Sequence, residues 1–183
     1  MTASPSPALT IRPATKADVP DIAAIYAQHV VAGFGSFEEI PPSVDEMLRR
    51  FAALEAGGFP YLVATAGAAI AGYAYAGPYH HRSAYRFAVE DSVYVHPDMG
   101  GRGVGRALLT RLVAEAEARG FRQMIAVIGD SANTASIRLH AALGFEMAGT
   151  VRSVGFKRDR WLDIVIMQRT LGVGDSAPPA ARG

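Results

Sequence analysis

Residues 92–109 read SVYVHPDMGGRGVGRALL, and they join a β-branched run, a proline, four closely spaced glycines and the start of an amphipathic pattern. This order predicts a strand, a tight loop and the N-terminus of a helix. The first amides of a helix lack an intrahelical partner, and the helix dipole adds positive potential at the same end. Glycines also let a ligand approach the backbone closely. The stretch therefore predicts an anion-binding loop.

Two familiar phosphate-binding patterns do not fit this loop. A Walker loop needs Gly-Lys-Ser/Thr at the helix start, whereas Gly105 is followed by Arg106 and Ala107. A dinucleotide fingerprint needs an acidic residue about 20 positions downstream, and residues 121–123 are Phe, Arg and Gln. These departures disfavour a phosphate-loop kinase and a dinucleotide-binding site.

The loop resembles the acyl-CoA pyrophosphate loop of the GNAT N-acetyltransferases, whose pattern is Gln/Arg-x-x-Gly-x-Gly/Ala. Gly103 and Gly105 match the two small positions. Gly100 occupies the Gln/Arg position, which removes one side chain but leaves the backbone amides, so we expect binding to survive. The alternative for the loop alone is an ordinary glycine-rich turn. The resemblance implies these cofactor-binding residues: Val93, Tyr94, Val95, Gly101, Arg102, Gly103, Val104, Gly105, Arg106 and Asn133.

Composition places the chain among single globular domains. It has 183 residues, of which 50% are hydrophobic, a formal net charge of +1 and no cysteine. The charge gives no long-range attraction to nucleic acid or anionic membranes, and the missing cysteines exclude a disulfide framework and a thiolate nucleophile. No apolar run has transmembrane length and the first residues do not resemble a signal peptide, so we expect a cytoplasmic protein. We expect one domain over residues 9–171, with flexible termini at 1–8 and 172–183.

Periodicity predicts alternating strands and helices. Capping boxes at Thr15-x-x-Asp18 and Ser43-x-x-Glu46 open the first two helices. The element order β-α-α-β-β-β-α-β-α-β-β mixes hairpins with crossover helices, so it predicts an α/β fold with a mixed sheet. The predicted strands are residues 9–13, 61–65, 69–76, 87–95, 123–128, 145–151 and 162–170, and the later helices begin after the glycine loop and at residue 133.

Residues 133–145, NTASIRLHAALGF, resemble the second half of the same family. There an Asn caps a helix and holds the pantetheine arm, and a Tyr seven residues later often faces the cofactor sulfur. Here these positions hold Asn133 and His140, which lie on one helix face because seven residues span about two turns. The alternatives are a plain N-cap and a buried core histidine.

Three further segments resemble the phosphinothricin and methionine sulfoximine acetyltransferase branch of this family. They are residues 74–78 with 82–85, residues 89–95, and residues 154–157 with 161–163. The resemblance covers about residues 11–170. It implies the GNAT fold, a mostly antiparallel mixed sheet flanked by helices, with acetyl-CoA as cosubstrate and no metal. It also implies a small amino-acid-like acceptor and a homodimer.

Transfer from a thioester to an amine needs a neutral amine and a protonated leaving thiolate. Glu90 lies in an otherwise apolar strand, where the run of residues 90–92 suggests a β-bulge. A buried carboxylate there is a candidate base, and the alternative is a solvent-facing strand residue. His140 is a candidate acid for the thiolate, or the base itself. An amide near Val93–Val95 is expected to polarise the thioester carbonyl.

The acceptor carboxylate needs a cation or a nest of backbone amides. Arg82 matches the branch pattern for the cation, although the alternative for an exposed Arg is simple solvation. The branch often has a basic residue where this chain has Glu38, which argues against a phosphinic-acid acceptor. A runner-up function is acetylation of a peptide or protein N-terminus, and another is a non-catalytic acyl-CoA sensor, which would need neither Glu90 nor His140. The candidate acceptor-binding residues are Phe37, Glu38, His81, Arg82, Tyr85 and Glu90.

Overall fold

The computed structural model describes residues 8–179. Its strands and helices confirm the predicted α/β class and most of the predicted element bounds. The strands are β1 (Leu9–Pro13), β2 (Tyr61–Ala66), β3 (Ala69–Pro78), β4 (Ala88–Val95), β5 (Gln123–Gly129), β6 (Glu146–Lys157) and β7 (Arg160–Thr170). The helices are α1 (Val19–Ala32), α2 (Val44–Ala56), α3 (Val104–Ala118) and α4 (Thr134–Ala141).

The strands form one seven-stranded sheet in the order β1-β2-β3-β4-β5-β7-β6. Among these described strands only β4 and β5 are parallel, and α3 is the crossover that joins them. Their pairing is short, from Ala88↔Gln123 to Asp91↔Ala126. Beyond Asp91 the two strands separate, which leaves a gap in the middle of the sheet.

The helices cover both faces of the sheet. On one face α1 and α2 pack on Val63 and Tyr73, and on the other α3 packs on Leu62, Ala64 and Ala74. Adjacent residues of β2 and β3 thus serve opposite layers, as the pleat requires. Each helical layer packs its own buried apolar cluster against the sheet. The strands on either side of the central gap are therefore held in place from both faces.

The predicted capping boxes set the starts of the first two helices. The Asp18 carboxylate accepts hydrogen bonds from the Thr15 amide at 2.7 Å and from the Arg12 guanidinium. A single 3₁₀ turn, Lys16–Asp18, precedes α1. The Ser43 hydroxyl accepts a hydrogen bond from the Glu46 amide at 3.2 Å, as predicted for α2.

The expected β-bulge at residues 90–92 is absent, and that prediction was wrong. Strand β4 pairs with β3 without a shift of register from Pro78↔Val89 to Gly72↔Val95. The polar run breaks the apolar pattern for a different reason: both faces of β4 border open clefts beyond Val89, so neither face needs to be apolar there.

The β6–β7 hairpin is longer than predicted, because β6 continues to Lys157. The register shifts between Val151 and Gly155, and Ser153 has a positive φ of 51°. The Asp163 carboxylate accepts a hydrogen bond from the Ser153 amide at 2.9 Å, which holds this irregular stretch of backbone in place. An irregularity of this kind hides the two-residue period by which a strand is recognised in a sequence.

The two predicted termini lie partly outside the described residues, which exclude 1–7 and 180–183. Within the described part, residues 172–177 form turns after β7. Arg122 donates a hydrogen bond to the Gly174 carbonyl at 3.2 Å, and Gly174 is buried.

Candidate active site

The gap between β4 and β5 is bordered by clefts on both sides of the sheet. Side chains of β4 alternate between them. Glu90, Ser92 and Tyr94 point toward the α1–α2 layer, and Asp91 and the two valines that follow point toward α3 and α4. The even and odd positions of one strand therefore serve two different cavities.

The cleft on the α3 side has a volume of about 490 Å³. It is bordered by β4, the glycine loop, the starts of α3 and α4, and the end of β5. Every predicted cofactor-binding residue lines it except Arg102, which is exposed in the loop. The lining members of that set are Val93, Tyr94, Val95, Gly101, Gly103, Val104, Gly105, Arg106 and Asn133.

The glycine loop has the backbone conformation that its sequence predicts. Gly101 and Gly103 have positive φ angles of 72° and 78°, and Gly103 is the N-cap of α3. A Cβ on Gly105 would lie 3.3 Å from Cδ2 of Leu139, so glycine also permits close packing of α3 against α4. The loop thus presents the free amides of a helix N-terminus to the cleft, an arrangement suited to a pyrophosphate.

The exposed edge of β4 offers further backbone groups. The bonds Tyr79 N–H to Ala88 O and His96 N–H to Ala71 O show that even-numbered residues of this stretch face β3. Along an antiparallel strand the residues bond alternately to one neighbouring strand and to the other, so the odd-numbered residues face away from β3. The amides and carbonyls of Val93 and Val95 therefore point into the gap, because β5 pairs with β4 only as far as Asp91. The Val95 carbonyl already contacts Nε2 of His29 at 2.8 Å. The two amides and the Val93 carbonyl remain for a ligand.

Asn133 caps α4 and lines the same cleft. Its Oδ1 accepts a hydrogen bond from the Ser136 amide at 3.3 Å. Asn133 is therefore an N-cap, as the alternative interpretation of the sequence predicted. It leaves the Nδ2 group of Asn133 able to donate to a ligand in the cleft.

His140 forms a buried pair with Asp91. The two residues are 3% and 6% exposed, and Nε2 of His140 lies 3.0 Å from Oδ2 of Asp91. Nδ1 of His140 lies 2.8 Å from the Ser136 carbonyl, so this nitrogen carries a proton and donates. Burial opposes a charged ring, but the hydrogen bond to Asp91 leaves the pKa of His140 above its usual value. Both ring nitrogens are thus engaged by the protein.

The cleft on the α1–α2 side has a volume of about 540 Å³. Among the predicted acceptor-binding residues, Phe37, Glu38 and Glu90 line it. It shares part of its wall with the first cleft, so that groups bound on opposite sides of the sheet meet at the β4–β5 gap. The shared residues are Gly35, Ser92, Tyr94, Val127 and Gly129.

Glu90 lines this second cleft from β4, one residue before the two parallel strands separate. It makes no hydrogen bond or ion pair with another residue of the described chain. Burial, with a further contribution from the negative charge of Asp91, raises the pKa of Glu90 to about 7. A carboxylate with this pKa exchanges protons readily near neutral pH, which suits a general base.

The sequence pointed to no role for Tyr26 and Tyr75 and placed Tyr94 only at the cofactor. All three supply aromatic walls to the second cleft. In the sequence these tyrosines stand only at apolar positions of a strand or an amphipathic helix. Such a position does not show whether the side chain packs in the core or lines a cleft. Lys157 was also missed: its buried ammonium donates hydrogen bonds to the carbonyls of Val30 and Ser36 and so holds the 33–38 loop.

The other predicted acceptor-binding residues lie elsewhere. His81, Arg82 and Tyr85 belong to the exposed segment that connects β3 to β4, and none of them lines either cleft. Arg82 makes no side-chain hydrogen bond or ion pair within residues 8–179. Over the same residues, no group of three potential metal-ligating side chains converges, and no helix is long and apolar enough to cross a membrane.

Comparison with known proteins agrees with this geometry. The chain is 54% identical to the phosphinothricin N-acetyltransferase of Alcaligenes faecalis over 172 residues, which covers 94% of this chain and 87% of that protein. It is 40% identical to an L-methionine sulfoximine/L-methionine sulfone acetyltransferase of Salmonella typhimurium, with 94% and 99% coverage.

A solved structure gives the same result for the fold. The phosphinothricin acetyltransferase of Sinorhizobium meliloti, crystallised in complex with AcCoA, superposes with a TM-score of 0.91 at 48% identity and covers 94% of this chain and 93% of its own. The family model described as an acetyltransferase (GNAT) domain matches residues 11–166. The resemblance read from the glycine loop is thereby confirmed, and the chain belongs to the GNAT acetyltransferase family.

Proposed function

We propose that this protein transfers the acetyl group of acetyl-CoA to the α-amino group of a small amino acid or amino-acid analogue. The observation that carries the proposal is the meeting of two clefts at the β4–β5 gap, one with a helix N-terminus for a pyrophosphate and one with a base. The names of the similar enzymes, which act on phosphinothricin or methionine sulfoximine, support this acceptor class.

The chemistry follows from the placement of groups around the gap. Glu90 removes a proton from the ammonium group of the acceptor, and the neutral amine attacks the thioester carbonyl. The amides of Val93 and Val95 point at this position and stabilise the developing negative charge. The C–N bond forms, the C–S bond breaks, and the thiolate leaves on the α3 side; the nitrogen loses its second proton and the thiolate takes one up, so that an amide and a free thiol result. Arg82 stays our candidate for the acceptor carboxylate because it has no ion pair within residues 8–179; it lies in the exposed β3–β4 connection and lines neither cleft, so it would have to reach the acceptor from outside.

His140 remains a predicted acid for the departing thiolate, but its geometry adds a second role. Nε2 would have to give up the proton that it shares with Asp91, while Nδ1 stays bound to Ser136. His140→Phe should therefore cost about 3–5 kcal/mol of stability, because it leaves a buried carboxylate unpaired. Thermal unfolding measures this loss.

The kinetics of the same variant separate the two roles. If His140 is the acid, kcat of His140→Phe falls and alkali does not restore it. If His140 only positions α4 against β4, His140→Phe binds acetyl-CoA less tightly, and kcat at saturating acetyl-CoA stays close to that of the wild type.

The proposed activity is tested by thiol release from acetyl-CoA in the presence of candidate acceptors. The panel contains the twenty common amino acids, methionine sulfoximine, methionine sulfone, phosphinothricin and a short peptide with a free N-terminus. We expect turnover with at least one free amino acid or analogue. Turnover of the peptide alone would favour an N-terminal acetyltransferase. Tight acetyl-CoA binding without any turnover would favour the acyl-CoA sensor.

We also propose that the protein is a cytoplasmic homodimer, as its branch of the family implies. Edge strand β6 and the start of β7 carry exposed apolar side chains, and Phe156 and Trp161 pack edge to face at 5.2 Å. An edge strand with this composition is a surface that a second copy can cover. Light scattering at micromolar concentration should give twice the monomer mass, and Trp161→Lys should shift it toward the monomer. A monomer mass for the wild type would contradict the proposal.

A further inference from the structure

The cleft on the α1–α2 side is lined by two carboxylates, Glu38 and Glu90, and by no lysine or arginine of the described residues. Glu90 is needed at the amino group if the proposed function is correct. Glu38 lies on the loop between α1 and α2, on a different wall, where it is available to the acceptor side chain.

The Glu38 carboxylate is held in one position. Its Oε1 accepts hydrogen bonds from the Tyr26 hydroxyl at 3.0 Å and from Nη1 of Arg50 at 2.6 Å. The Tyr26 hydroxyl is also within 2.9 Å of the Ser36 hydroxyl, which ties the arrangement to the loop. Oε2 of Glu38 makes no hydrogen bond within the described chain, and the side chain is 35% exposed. One oxygen of a fixed carboxylate is therefore free to meet a ligand.

Arg50 forms an ion pair with Oε1 of Glu38 and so offsets part of its charge, but neither Arg50 nor Lys157 lines the cleft. Arg50 is shared with Glu46, whose Oε1 accepts a hydrogen bond from Nε of Arg50 at 2.9 Å. Arg50 lines a separate small cavity among the tyrosines instead of the acceptor cleft. The Lys157 ammonium is buried and donates to the carbonyls of Val30 and Ser36. An acceptor in the cleft thus meets carboxylate oxygen and aromatic surface.

We propose that Glu38 determines specificity for the acceptor side chain, an inference that rests on the proposed function. It selects α-amino acids whose side chain ends in a neutral polar group, such as an amide, a sulfone or a sulfoximine. It disfavours side chains that end in an anion, such as a carboxylate or a phosphinate. The physical cause is repulsion between like charges in a half-buried cleft, where water screens them less than in bulk. A terminal N–H of a neutral side chain can instead donate to Oε2.

The test compares acceptor pairs that differ in side-chain charge but little in size. They are glutamine against glutamate, and methionine sulfoximine against phosphinothricin. We expect the wild type to have the higher kcat/KM for the neutral member of each pair. Glu38→Gln keeps the size and an oxygen for Tyr26 but removes the charge, so it should lower this preference about tenfold. Glu38→Arg should reverse it.

A matched control is Glu46→Gln, which removes a carboxylate from the same arginine outside the cleft and should leave the preference unchanged. Acetyl-CoA affinity should be equal in all variants, which shows that they are folded. An unchanged preference in Glu38→Gln would overturn the inference and leave the proposed function standing. If no amino acid is acetylated by the wild type, the proposed function fails first, and the inference fails with it.

Discussion

Glu90→Gln is expected to lower kcat/KM for the best acceptor by about 10²–10⁴-fold, the usual contribution of a general base. The substitution keeps the size of the side chain and removes its ability to take a proton from the ammonium group. The affinity for acetyl-CoA should change little, because its proposed contacts lie on the opposite face of β4. Steady-state kinetics and acetyl-CoA titration measure the two effects separately.

The pH profile gives the same prediction a second readout. Since burial raises the pKa of Glu90 to about 7, kcat/KM of the wild type should rise with pH through that value. The pH profile of Glu90→Gln should lack this rise in kcat/KM. The difference in kcat/KM between the variant and the wild type should shrink at high pH, where the amine loses its proton without help. The matched control is Glu55→Gln, the same change at an exposed site on α2. Full activity of Glu90→Gln at pH 7 would remove Glu90 from the mechanism.

The raised pKa of Glu90 also predicts a change in stability. Its ionised form is less favourable in the folded state than in the unfolded chain. The penalty is therefore absent at acidic pH, grows above the unfolded pKa near ~4.5, and is complete above about 7. Glu90→Gln should consequently raise the Tm relative to wild type at pH 8 but not at pH 4. An equal difference at both pH values would show that the charge of Glu90 is not responsible.

The second large effect is expected at Gly103, where Gly103→Val should abolish acetyl-CoA binding. Saturation at about 100 times Kd should raise the Tm of the wild type by roughly 5–10 °C, and the variant should show no shift. Gly103 has a φ of 78°, a conformation that a β-branched residue strongly disfavours, and a side chain there would enter the cleft where we propose that the pyrophosphate binds.

Gly120 provides a closely matched control for the strain. Its φ is 79°, and it follows α3 at the end away from the cleft. A Cβ added to Gly120 would meet no atom of the described chain within 4 Å beyond the adjoining residues. Gly120→Val should therefore lose similar stability and still bind acetyl-CoA. Retained acetyl-CoA binding in Gly103→Val would show that the loop does not hold the pyrophosphate.

Local sequence patterns were enough to predict most of the elements and the residues that line the cleft on the α3 side. The glycine loop and the edge of β4 act through main-chain groups, whose positions follow from the helix and the strand. Asn133 acts through its side chain, whose position follows from its place as the N-cap of α4. Glu90 could be found because a carboxylate interrupts an apolar strand. All the residues predicted to bind the cofactor line the cleft on the α3 side, with the exception of Arg102.

The acceptor side could not be predicted to the same extent, because it is assembled from distant segments. Glu38 and Arg50 lie on a loop and a helix, and their ion pair is visible only once α2 packs beside α1. Lys157, one of only two lysines in the sequence, shows no sign there of being buried, yet its ammonium donates hydrogen bonds to the carbonyls of residues 30 and 36. Arg82 was matched by pattern alone and lies in an exposed segment that lines neither cleft, so its role at the acceptor carboxylate stays a prediction.

The unbroken pleat of β4 has a consequence for how this enzyme can change. Because side chains that face the two clefts alternate along one strand, the side chains at positions 92 and 94 can change on the α1–α2 side while Glu90 is kept and the side chains at positions 91, 93 and 95 stay on the α3 side. New acceptor preferences are thus open to selection at little cost to acyl-CoA use. A single inserted or deleted residue within this stretch would exchange the two sets and disable both clefts at once.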